Sequence, residues 1–305
     1  MAQESVNSPR IGNAAGTCKT RRHFSLLLRS AADVVTIGPI TLHERPYNPG
    51  NNEYVDAFGR SINSHGLPSE GLDVWREQLP QWRYEAEKAG KILAVSVPPL
   101  DKDAESGKED VEVVVEMCVA AGIRIIEVNC GCSNVWKGSE QKRILSFQPR
   151  AIEDLADKVL WITEGSEVEE VRFKLSPYSD PGLLAEVASV LAPRKAAVVT
   201  SNTFANAYMF REEDGRPAVE FGKHLGGYGG RGMKPIALGQ VAQFHELLPN
   251  HRIIGVGGID NGRDLYEFWQ VGAVEGQLGS SWYFTENPRS FGDVLSQFLD
   301  IVLEE

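Results

Sequence analysis

Apolar residues along this chain fall into two textures. Short β-branched and aliphatic runs show no polar alternation, and longer stretches with apolar positions at helical spacing lie between them. Eight runs read as strands: 10–14, 33–37, 92–97, 124–129, 171–175, 197–201, 252–256 and 274–278. Strands apolar on both faces belong in a parallel sheet covered on both sides. Seven helical patterns separate them: 22–30, 75–89, 110–121, 151–164, 182–192, 235–248 and 263–271. Gly90, Gly122 and Gly272 stop three of these just before the next strand, as a helix-ending glycine does. Pro149 and Pro181 stand near helix starts, where proline's missing N–H is harmless.

This alternation predicts an α/β fold, a (β/α)8 TIM barrel forming one domain over residues 1–305, with long loops at its C-terminal face. The alternative is an open doubly wound sheet, which usually carries G-x-G-x-x-G directly after its first strand; that motif is absent here. The two long loops, 41–73 and 203–233, both follow strand C-termini, the catalytic side of such a barrel.

Composition narrows the partners. A net charge of −11 repels phosphate backbones and argues against nucleic acid. No apolar run approaches the roughly 20 residues of a membrane helix, and the polar residues 1–10 do not read as a signal peptide. Cys18, Cys118, Cys130 and Cys132 read as free thiols, the pattern of a reducing cytoplasm.

The residues just past the strands carry the candidate chemistry. Asn63, Asn129, Asn134 and Asn202 would all point at one mouth. Amides offer paired donors and acceptors without charge, which suits a small planar polar ring such as a pyrimidine. A single asparagine is more simply a turn residue; four at one rim ask for a ligand. Lys174 sits inside an apolar strand, where an ammonium needs a partner or must reach the rim. As a functional group it is a cation beside an electron-accepting ring or oxyanion, or a Schiff-base lysine. Cys132 lies in a strand-end loop; a lone cysteine is more often an inert thiol, but here it is placed to act as a general base. No second cysteine or histidine pair at zinc spacing accompanies Cys130 and Cys132, so no metal site is expected. Glycine clusters at Gly255, Gly257 and Gly258, and at Gly279 with Ser280, follow the last two strands. A barrel of this kind grips phosphate there through backbone N–H groups. A third cluster, at 226–230, includes Gly227 and precedes Lys234-Pro235.

Taken in order, these motifs resemble the dihydroorotate dehydrogenases, FMN-dependent barrel enzymes. The resemblance rests on Asn13-Ala14-Ala15-Gly16, on Ile62-Asn63-Ser64-His65-Gly66-Leu67-Pro68, on Asn129 with Cys132-Ser133-Asn134, on Lys174-Leu175-Ser176-Pro177-Tyr178, and on the three glycine clusters. It implies FMN as cofactor and Cys132 as the catalytic base of the soluble class, where the membrane-bound class has serine. It implies Lys174 near the flavin N1–O2 edge. Substrate contacts are implied for Asn63, His65, Gly66, Leu67, Asn129, Asn134, Asn202 and Thr203, and cofactor contacts for Ala15, Gly16, Asn129, Lys174, Gly227, Gly257, Gly258, Gly279 and Ser280. Members of the soluble class form dimers or pair with an iron–sulfur flavoprotein, so a homodimer is one expected assembly.

The sequence departs from that pattern where the family places a substrate-side lysine before Thr-Leu: counting back from Thr41-Leu42, the position is Gly38. Gly131, Ser133 and His65 also replace residues common in the family. The expectation is an FMN oxidoreductase acting on a C–C bond of a pyrimidine-like ring, with neutral rings preferred or a carboxylate held by another group such as His65. The alternatives are an authentic soluble dihydroorotate dehydrogenase and a flavin-binding barrel without this chemistry.

Overall fold

The computed structural model describes residues 8–100 and 109–304. Residues 1–7, most of the N-terminal stretch considered above, lie outside the described residues. The first part of the chain runs β1 (Arg10–Asn13), α1 (Arg21–Leu28), β2 (Val34–Ile37), β3 (Glu53–Val55), β4 (Arg60–Asn63), α2 (Leu72–Lys88), β5 (Ile92–Val97), α3 (Asp110–Ala120) and β6 (Ile125–Asn129). A two-stranded hairpin, β7 (Trp136–Lys137) and β8 (Glu140–Gln141), precedes α4 (Pro149–Thr163), β9 (Glu170–Leu175), α5 (Pro181–Leu191) and β10 (Ala197–Thr200). The chain ends with β11 (Phe204–Ala207), β12 (Gly226–Gly230), α6 (Lys234–Leu247), β13 (Ile253–Val256), α7 (Gly262–Gln270), β14 (Ala273–Leu278), α8 (Ser280–Tyr283) and α9 (Arg289–Glu304).

Strands β1, β14, β13, β10, β9, β6, β5 and β2 close in that order into a parallel barrel, β1 pairing with β2 to seal it. This is the predicted (β/α)8 architecture. Each of the eight expected strands is present, and the seven expected helices lie within a few residues of their expected bounds. The one long helix not anticipated is α9, which buries Phe291, Val294 and Phe298 at helical spacing.

Alternation along the strands separates two environments. The outward positions pack under the helices: a Cβ at Gly255 would meet the Phe268 ring, and one at Gly276 would meet Leu265, both from α7. Inward positions carry two small apolar groups, one of Ala14, Ala197, Val199, Ile254 and Val256 and the other of Val34, Ala94 and Ile125. Charged residues fill the remaining interior. Arg172, fully buried, places its guanidinium against both carboxylate oxygens of Glu275, at 2.6 and 2.7 Å. Glu170 joins Arg10 at 3.4 Å and Arg252 at 2.6 Å around the same end.

The two long loops are not irregular. Each contributes a pair of strands to one antiparallel sheet ordered β11-β12-β4-β3. Asn63 stands opposite Glu53 on one side and Gly227 on the other. The strands within these long connections carry no sequence signal, because glycine-rich β12 has no β-propensity of its own and forms only by pairing with β4. Among the described residues no helix is long and apolar enough to cross a membrane.

Candidate active site

At the C-terminal mouth of the barrel a cavity of about 510 Å³ opens between the strand ends and the antiparallel sheet. Its wall includes Ala15, Gly16, Asn63, His65, Gly66, Leu67, Asn129, Cys132, Asn134, Lys174, Asn202, Thr203, Gly257, Gly258, Gly279 and Ser280. Of the residues expected at the site, Gly227 alone does not line it. A Cβ there would come 2.0 Å from Thr203 Oγ1. Residues directly opposite in an antiparallel pair share a face, so Gly227 leaves on the face of Asn63 the space that the Thr203 side chain occupies.

The amides are bonded in two pairs. Asn202 Nδ2 donates to Asn129 Oδ1 at 2.9 Å, and Asn202 Oδ1 accepts from the Thr203 backbone N–H at 2.8 Å. Across the cavity wall, Asn134 Nδ2 donates to the Asn63 carbonyl at 3.0 Å and to Asn63 Oδ1 at 3.3 Å. Asn48 Nδ2 donates to the carbonyls of Ser64 and Asn134, at 2.7 and 3.1 Å, and Gln141 Nε2 to that of Ser133 at 2.6 Å. The Cys132 loop is therefore held from both sides.

Cys132 Sγ lies in this held loop. Burial pushes its thiol up to about 11, opposed by the Asn134 backbone N–H and by the positive charge of Arg45. Cys130, two residues earlier, is buried in the core around the barrel and does not line the cavity. Lys174 points into the barrel, almost fully buried, with Glu127 Oε1 3.7 Å from its ammonium. Gln277 Nε2 holds the other Glu127 oxygen at 3.1 Å. The hydroxyls of Ser96 and Ser201, on the cavity wall, are buried with no hydrogen-bond partner.

Around the glycine clusters, Gly257 and Gly258 adopt φ of +127° and +81°. A Cβ at Gly258 would meet the Lys234 backbone nitrogen at 2.8 Å. Lys234 itself is committed to Asp264 and Glu267, and Arg231 to Asp260, so what this corner offers an anion is backbone N–H and the Ser280 hydroxyl. Ser280 Oγ lies 2.7 Å from Ser61 Oγ. Among the described residues no group of His, Cys, Asp or Glu is arranged to hold a metal.

Gly38 proves to be a position where no side chain fits. Its φ is +107°, and a Cβ would fall 2.7 Å from the Ser96 carbonyl oxygen. The cavity nevertheless has a cation that motif reading missed. Lys19, from the loop after β1, lines it together with His65 and Tyr283. Burial lowers its ammonium to about 8, with Glu53 opposing. His65 itself is pushed below its ordinary value by burial, so at neutral pH it is not the cation that the sequence allowed it to be.

The sequence matches the family described as dihydroorotate dehydrogenase over residues 5–302. It is 29% identical over 294 residues to dihydroorotate dehydrogenase A (fumarate) of Lactococcus lactis subsp. lactis strain IL1403, covering 95% of this chain and 89% of that protein. It is 27% identical over 297 residues to a putative dihydroorotate dehydrogenase A (fumarate) of Streptococcus equi subsp. equi, covering 96% and 89%. In fold it superposes on a crystal structure of DHODH in complex with ferulenol from Eimeria tenella with a TM-score of 0.75 at 18% identity, covering 96% of this chain and 81% of that one. With the family pattern running nearly end to end along a barrel whose mouth gathers cysteine, lysine and four amides, the chain belongs to the dihydroorotate dehydrogenase family and is an oxidoreductase of that type, acting on a CH–CH bond.

Proposed function

We propose that the chain is a single FMN-binding barrel domain that interconverts a dihydropyrimidine ring and its unsaturated form, with dihydroorotate and orotate as the pair. The observation carrying this reading is that Cys132, Lys174 and the four asparagines all line one cavity. The fit to FMN rests on the unpartnered Ser96 and Ser201 hydroxyls on the wall and on the buried ammonium of Lys174. Gly257, Gly258, Gly279 and Ser280 would hold the phosphate through backbone donors. Ala15, Gly16, Asn129 and Lys174 would hold the ring system. When bound, the flavin supplies hydride acceptance and donation.

The chain's own residues orient the substrate and move a proton. Asn63, Asn129, Asn134 and Asn202 present amide donors and acceptors to a planar ring; because they are hydrogen-bonded to one another in two pairs, the set is pre-organised. The Cys132 thiolate would take the proton from ring carbon during oxidation, breaking C–H and forming S–H; in the reverse direction the thiol would return it. With the thiol pushed up to about 11, Cys132 holds its proton at neutral pH, where it can return it to the ring, and the thiolate fraction that can act as base grows as pH rises. Lys174 would stabilise negative charge that develops on reduction.

Four free thiols among the described residues support a reducing cytoplasmic location, and a homodimer is carried over from the family. Fumarate, which names the bacterial relatives, is the first electron acceptor to assay. The test is direct: the purified protein should be yellow and release FMN, not FAD, on heating. A colourless protein that FMN cannot reconstitute would refute the reading.

A further inference from the structure

Gly38 offers no side chain and does not line the cavity, but the loop after β1 brings a cation to it. Lys19 Nζ lies 3.0 Å from His65 Nδ1, 3.2 Å from His65 Nε2 and 3.2 Å from Tyr283 Oη, nearest the ring nitrogen that can accept. It also stands over the rings of Tyr283 and Tyr47, at 4.7 and 5.3 Å from their centres. Glu53 organises this group from behind. Its Oε2 lies 2.6 Å from His65 Nε2 and 2.9 Å from Tyr283 Oη. A carboxylate there keeps the proton on Nε2 and leaves Nδ1 as an acceptor. Tyr283 likewise gives its proton to Glu53 and accepts from Lys19. The ammonium thus spends two of its three donors on neutral acceptors. Among the described residues it forms no direct ion pair with a carboxylate, and it lines the cavity.

We propose that Lys19, oriented by His65, Tyr283 and Glu53, is the anchor for the carboxylate of the substrate and takes over the role that Gly38 cannot fill. This rests on the functional reading above. The anion it serves belongs to the substrate rather than to the cofactor phosphate, because His65 lies on the same short segment as Asn63, which is bound to Asn134 in the amide set. The charged and titratable groups facing Lys19 are Glu53, His65, Tyr47 and Tyr283, with His23 against its backbone N–H at 3.3 Å. Glu53 is held down to about 2, chiefly by the hydrogen bond from His65. Below pH 7 to 8 the cluster therefore keeps its cation, and affinity for a carboxylate falls as pH rises past about 8.

The experiment uses the FMN-loaded protein and reads ligand binding from perturbation of the flavin absorption. Orotate and neutral uracil are titrated into wild type, Lys19→Met and Lys19→Arg between pH 6.5 and 9.5. Lys19→Met should bind orotate about 10- to 100-fold more weakly, the loss of one charge-assisted hydrogen bond, while uracil affinity stays unchanged. Lys19→Arg should recover most of the orotate affinity, and the decline above pH 8 should vanish in Lys19→Met. Equal weakening of both ligands, unchanged orotate affinity, or a loss of FMN with orotate binding intact would each overturn the assignment. If wild type binds neither pyrimidine, the dihydroorotate reading fails by itself. The Lys19 assignment is then judged by the same comparison with benzoate and benzamide, and is overturned if wild type and Lys19→Met show the same preference between them.

Discussion

Cys132 acts on a proton of the ring, and Lys174 on charge that develops beside it. The Cys132 thiol is raised above its ordinary value by burial, so the protonated form dominates at neutral pH and the thiolate fraction grows about tenfold per pH unit on approach to 11. In the oxidative direction, the rate of flavin reduction at saturating dihydroorotate should rise through pH 7 to 9 without levelling. In the reductive direction the rate at which orotate reoxidises the reduced flavin should be flat over that range, and rapid-mixing absorbance separates the two. Lys174→Ala should slow flavin reduction by on the order of 3 kcal/mol, roughly 100-fold, with a smaller effect on substrate affinity. An unchanged rate with full FMN content would make Lys174 a structural partner of Glu127. These two residues were legible because each breaks the texture around it, a cysteine in a strand-end loop and a lysine in an apolar strand. Lys19 was not legible. Its partners His65 and Tyr283 stand 46 and 264 positions away, and only barrel closure brings them together.

At the scale of elements, the barrel strands were readable because burial on both faces writes itself as an unbroken apolar run. The sheet over the mouth was not. Strand β12 is Gly-Gly-Tyr-Gly-Gly, a composition of turns, and it is a strand only because close backbone approach is needed there: a Cβ at Gly226 would fall 2.7 Å from the Asn63 carbonyl oxygen. Helix α9 did carry its signal, Phe291, Val294 and Phe298 on one face, but lies beyond the strand–helix alternation that organises the rest. The glycine turn after β13 is the element most sensitive to a side chain. Gly258→Ala forces a left-handed φ of +81° on alanine and a contact with the Lys234 backbone. Strain of about 1–3 kcal/mol is expected, seen as lower stability in chemical denaturation together with protein purified short of FMN. Full FMN content at unchanged stability would show that the turn tolerates the change.

Across the whole molecule, charge is buried at one end of the barrel and chemistry is placed at the other. Arg172 and Glu275 are fully buried partners. Among the described residues, the fully buried Glu275 without Arg172 keeps only Arg10, at 3.3 Å, so Arg172→Met should cost about 3 kcal/mol in denaturant unfolding, while Arg172→Met with Glu275→Leu should recover part of it. FMN-binding residues at the mouth would be untouched in the double variant. The opposite end holds a cavity whose cysteine, lysines and amides come from strand ends and loops spread over most of the chain, which is why function concentrates there while the ion pair below serves the fold. The measurement that bears most directly on this account is anaerobic mixing of the FMN-loaded protein with dihydroorotate at pH 8. The account predicts bleaching of the flavin absorption within the mixing experiment, lost in Cys132→Ala at unchanged FMN content. Flavin that stays oxidised in wild type, or bleaches equally fast without Cys132, would contradict it.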